Sequence, residues 1–140
     1  MDRIRFRRYS TPVLGVVSDD RVPVLEVIIN GEPLDWLWLQ ATGHEADGSR
    51  LDRNPADWMA VLDSEVAGDR YARMRPGAEP RRIPVLQLLA HGRRVGTATV
   101  SASATADAVS WSDFQADIGQ PVALGPFLFD ATAYHNGLDI

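Results

Sequence analysis

Val109-Ser-Trp-Ser-Asp-Phe114, followed by Leu124-Gly-Pro-Phe-Leu-Phe-Asp130, is the stretch whose reading decides the fold: aromatic, acidic and without Arg or Lys. Ala108 to Ser112 has the β-branched and aromatic content of a strand, and Phe127 and Phe129 alternate about Leu128 in a second, short one. Asp130 is placed to N-cap a terminal helix over Ala131 to Asn136, with Gly137 at its C′ position. Working back, Ile83 to Ala90, the turn His91-Gly-Arg-Arg94 and Val95 to Ala102 read as a hairpin. The 108–112 strand lies beside it, so this half is an antiparallel meander.

The N-terminal half begins with Arg3-Ile-Arg-Phe-Arg7, whose period of two turns Ile4 and Phe6 inward. Val13 to Val17, a turn at Ser18 to Arg21 and Val22 to Ile29 read as another hairpin. Asn30-Gly31 supplies the positive-φ pair of a type I′ turn, so Leu34-Asp-Trp-Leu-Trp-Leu39 is expected to return as a strand, with a helix starting at Pro33 as the competing reading. Residues 40 to 53 read as a surface loop. Asn54-Pro55 predicts a helix from Pro55 to Glu65, and a basic helical turn over Asp69 to Arg75 ends at Pro76-Gly77. The whole is one α+β domain over residues 1–140, an antiparallel sheet of about six to eight short strands packed by one or two helices.

The composition is that of a globular domain: 140 residues, 45% hydrophobic and 24% charged. No apolar run approaches the ~18 residues a membrane span needs, so no membrane partner is expected. No h-region follows the charged start, which reads as cytoplasmic. The absence of cysteine removes disulfides, thiolate nucleophiles and thiolate-bound metal. Charge is segregated: residues 1–8 sum to +3, 9–65 to −8, 66–94 to +5 and 95–140 to −5. A basic segment embedded in a protein of net charge −5 argues against nucleic acid, and residues 22–49 hold no cation to accompany base stacking on Trp36 and Trp38.

Arg82-Ile-Pro-Val-Leu86, Val109-Ser-Trp-Ser-Asp-Phe114 and Gly125-Pro-Phe-Leu-Phe-Asp130 with Tyr134 resemble a family of small, uncharacterised, mostly actinobacterial proteins over residues 82–134. Such proteins often carry a cysteine and glycine cluster between the first two pieces, able to bind zinc or close a disulfide. Here that interval, Gln87 to Gly96, has no cysteine, so the resemblance implies a shared fold and carries over no metal or redox role.

No cofactor motif is present. His44-Glu45 lacks the second histidine of a zincin motif, and the carboxylates of Asp47 and Asp52 lack EF-hand spacing. Ser49, Ser110 and Ser112 lie outside any nucleophile-elbow motif. These features point to neither a metal site nor a catalytic residue. His91, Arg93 and Arg94, with Arg81 and Arg82 at the far end of the strand, form the nearest approach to an anion site. Trp36 and Trp38 alternate with Leu37 and Leu39, which in a strand leaves one apolar face for a partner to cover. The leading expectation is therefore a non-enzymatic protein-binding module of the immunity or inhibitor kind. It would capture a basic protein through Asp19, Asp20, Glu26, Glu32, Asp35, Asp113 and Asp117, with Trp36 and Trp38 as anchors. Two alternatives stand beside it. One is a small-molecule or enzymatic domain gathering His91, Arg93, Arg94 and His135; the other is a scaffold that has lost its metal ligands and pairs with a second copy of itself through the Trp36 strand.

Overall fold

The computed structural model describes residues 1–12, 21–42, 58–63, 69–90, 93–116 and 119–139. Nine strands are described: β1 (Ile4–Pro12), β2 (Arg21–Ile29), β3 (Glu32–Pro33), β4 (Trp58–Asp63), β5 (Arg81–Ala90), β6 (Arg93–Ala104), β7 (Ala108–Ala116), β8 (Gln120–Pro121) and β9 (Phe127–Asp130). Two helices, α1 (Leu34–Ala41) and α2 (Ala131–Leu138), and a 3₁₀ segment (Asp69–Met74) complete them. This is the α+β architecture the sequence predicts.

Every strand pairing is antiparallel, in the order β1-β2-β4-β5-β6-β7-β8, with β3 on β2 and β9 on β7. The two ends then approach each other. Asp2, just before β1, forms a parallel bridge to Phe129 of β9. Its N–H donates to the Leu128 carbonyl at 2.8 Å, and its carboxylate accepts from the Leu128 N–H at 2.9 Å. The helix α2 packs on β1, β7 and β9 at this junction.

Inside lies an aromatic cluster centred on fully buried Trp111, which meets Phe129 (5.3 Å between ring centroids), Tyr134 (5.9 Å) and Phe114 (6.4 Å) edge to face. Phe6 closes it with a 5.4 Å T-shaped contact to Tyr134, as its inward position in the alternating start predicts. The strand β2 buries both faces: Leu25, Val27 and Ile29 join the main cluster, while Val24 and Ile28 face the other way.

Three expectations are corrected. Residues 34–41 form a helix capped at Pro33, the competing reading, because Leu34 and Trp38 are four apart and both reach the core only at helical period. Residues 58–63 are a strand in place of the Pro55–Glu65 helix, since Trp58–Val61 pair with β5 and Leu62–Asp63 pair with β2. Local capping signals lose here to tertiary pairing. Gly137 lies within α2, which continues to Leu138; its missing Cβ serves packing, because a Cβ there would stand 2.8 Å from Phe6 Cδ2. The expected strand at Val13–Val17 lies outside the described residues. Among the described residues β1 pairs with β2 along its whole length, with Pro12 opposite Arg21.

Candidate functional site

The motif residues of the C-terminal third are drawn together, and each is engaged in holding the fold. Asp113 adopts φ +56° at a register shift between β6 and β7, a conformation Asp tolerates better than most residues. The Arg82 guanidinium reaches across from β5 to clamp it. Nη1 bonds the Asp113 carboxylate at 2.9 Å, Nη2 bonds the Asp113 carbonyl, and Nε bonds Thr99 Oγ1 at 3.1 Å. Gln115 adds a 3.2 Å bond to the same carboxylate. Asp130 caps α2, its carboxylate accepting from Ala133 N–H at 2.9 Å as the sequence predicts. Gly125 sits at φ +75° where a Cβ would press on Phe114 and Phe127.

Tyr134 donates from its buried hydroxyl to the Met74 carbonyl at 2.5 Å. Burial pushes its phenol well above the ordinary value of 10.0, outweighing the opposing influence of the Trp111 indole, Arg75 and Arg81. Trp111 Nε1, also buried, has no partner of hydrogen-bonding geometry among the described residues. Arg75 binds the far end of α2: Nη1 lies 3.4 Å from both His135 Nδ1 and the His135 carbonyl, and Nη2 lies 2.6 Å from Asp139. Arg8 donates to the Leu138 carbonyl at 2.6 Å, so two arginines satisfy the negative end of the helix.

The expected partner-binding set is divided by the structure. Trp38 is 1% exposed and part of the core, so it is no surface anchor. Trp36 is only partly buried, as is Asp35, whose Oδ1 accepts from the Trp36 N–H at 2.7 Å; Glu32 is exposed on β3. Asp113 belongs to Arg82, and Glu26 to Arg7 at 2.8 Å, on different strands of the sheet. Of the described carboxylates, Asp113 and Glu26 are thus already paired with arginines of the fold. Asp19, Asp20 and Asp117 lie outside the described residues.

The rival anion site is split as well. Arg93 and Arg94 pair with Ala90 and Leu89 at one end of β5, and His91 lies outside the described residues. At the other end Arg81 donates to the Arg75 carbonyl at 2.7 Å, and Arg75 holds His135. The β5 strand, about 30 Å long at ~3.3 Å per residue, thus runs between Arg81 and Ala90, the residue paired with Arg93. Arg81 and Arg82 are each committed to other partners.

Sequence reading missed the outer face of β1 and β2. Arg3 and Arg5 there line a groove of about 420 Å³ with Ile4, Glu26, Ile28, Gly31 and Pro33. The signal was present in the same alternation that placed Ile4 and Phe6 inward, since it places the arginines together outside. Among the described residues no helix is long and apolar enough to cross a membrane, and no group of three or more His, Cys, Asp or Glu side chains is arranged to hold a metal ion. No protein-family model, no curated protein and no solved structure matches the chain.

Proposed function

We propose that the chain is a cytoplasmic protein-binding module without catalytic chemistry of its own, of the immunity or inhibitor kind, and that it meets a basic partner through residues 32–36. The observation carrying this reading is the divided fate of two indoles on one short helix. Trp38 is spent on the core, while Trp36 stays partly at the surface beside Asp35 and the exposed Glu32. An indole flanked by carboxylates combines an interface anchor with charge that steers a cationic partner. The engagement of Arg82, Asp113, Asp130 and Tyr134 within the fold supports the same view, because the polar groups of the distinctive motifs are used for architecture.

Cross-linking capture from lysate of the source organism tests this with wild type, Trp36→Ala and the Glu32→Arg/Asp35→Arg pair. A basic protein captured by wild type at low salt should be lost with both variants and at about 0.5 M salt, where the screening length falls towards 3 Å. Capture that persists in both variants, or no capture at all, refutes the assignment.

A further inference from the structure

We propose that the groove on the outer face of β1, β2 and β3 docks an extended acidic peptide segment, with Arg3 and Arg5 gripping two of its carboxylates. This site lies outside residues 32–36 apart from Pro33, and it calls for a ligand of the opposite charge.

The alternation of β1 sets Arg3, Arg5 and Arg7 on one face, and the register sets what stands beside them. Arg7 is opposite Glu26, and Arg5 is opposite Ile28, which is in turn opposite Pro33. Of the three arginines, Arg7 has its carboxylate. Arg3 and Arg5 are exposed, and neither guanidinium has a hydrogen-bond or ion-pair partner among the described residues. In a protein of net charge −5, two adjacent unsatisfied guanidinium groups bordering apolar side chains are an uneven distribution of charge.

The geometry selects the ligand. Each guanidinium presents a planar fork that matches a carboxylate. Residues two apart on a strand lie about 7 Å apart on one face, and an extended peptide repeats its own side chains at the same interval. Acidic residues at alternate positions of such a peptide therefore meet Arg3 and Arg5 in register, while the partly buried Pro33 offers apolar contact beside them. Glu26, lining the same groove, opposes a continuous polyanion such as a nucleic-acid backbone.

Fluorescence polarisation with a fluorescein-labelled octapeptide alternating glutamate and serine tests the site on the full chain, with the lysine and serine counterpart as control. The glutamate peptide should bind, and its affinity should fall about tenfold or more in Arg3→Gln/Arg5→Gln, since two charge-assisted contacts are lost. Raising salt should weaken it further. The single variant Arg5→Gln and a circular dichroism melt guard against misfolding of the double variant. Trp36→Ala should leave this binding unchanged, so that failure here is separable from failure of the residue 32–36 reading. No binding at millimolar protein would mean that the arginines serve only to keep the exposed strand face soluble. Equal binding of the lysine peptide, undiminished binding by Arg3→Gln/Arg5→Gln, or displacement by tripolyphosphate below the peptide's own concentration would each overturn the proposal, the last by showing that the groove reads phosphate.

Discussion

Tyr134 and Asp113 are the residues at which side-chain chemistry and fold are most tightly joined. Replacing Tyr134 by Phe leaves the Met74 carbonyl buried without its donor, at a cost of about 1–3 kcal/mol. The pH dependence has a definite sign. Because burial raises the phenol's pKa, the native state keeps a proton that the unfolded chain releases above 10.0; this stability is complete below that pH and declines as pH rises beyond it. Urea midpoints at pH 8 and pH 10.5 should therefore converge more closely in Tyr134→Phe than in wild type. At Asp113, Val should be clearly worse than Gly. Both lose the Arg82–carboxylate pair, an exposed pair worth at most about 1 kcal/mol; only the β-branched residue also pays the left-handed penalty of about 1–2 kcal/mol at φ +56°. Equal urea midpoints for the two variants would show that the backbone there is unstrained.

Among the elements, α1 and α2 each turn on one buried contact. Trp38→Ala should cost about 3–5 kcal/mol, a large share of the stability of a domain this size, whereas Trp36→Ala, removing a side chain that is only partly buried, should cost clearly less. A similar loss for both would contradict the division of labour between core and surface on α1. On α2, Gly137→Ala sets helix propensity against packing. The gain of about 0.8–1 kcal/mol should be outweighed by the about 1–3 kcal/mol of overpacking against Phe6, whose ring is held edge-on to Tyr134. If the clash is the cause, combining Gly137→Ala with Phe6→Leu should recover part of the loss in a double-mutant cycle.

For the whole molecule, the decisive feature is the meeting of β1 and β9 at Asp2. Its carboxylate is held below the usual range chiefly by the Leu128 N–H and then by Asn30 Nδ2 at 3.0 Å. Its contribution is present above the ordinary value of 3.8 and is lost as pH falls through the lowered one. Asp2 is partly buried and bonds Leu128 and Asn30 at this junction, so its effect should be local. Asp2→Ala should speed amide exchange at Leu128 while leaving the β5–β6 hairpin unchanged; acceleration across the sheet would show that the junction governs global stability.

Much was legible in the chain itself, wherever the pattern was local and unambiguous. The alternation at Ile4 and Phe6, the Asn30-Gly31 turn with both residues at positive φ, the meander of the C-terminal half and the Asp130 cap all follow from period and backbone preference. Tertiary structure alone decided the two helix-versus-strand choices at 34–41 and 58–63, because short apolar runs satisfy either period until a neighbour is present to bury them. It also decided the charges. A sequence shows how many carboxylates and guanidinium groups there are, but pairing acts through space over a few ångströms: only the strand register could assign Asp113 to Arg82 and Glu26 to Arg7, and so leave Arg3 and Arg5, which alternation already places outside, without a carboxylate among the described residues.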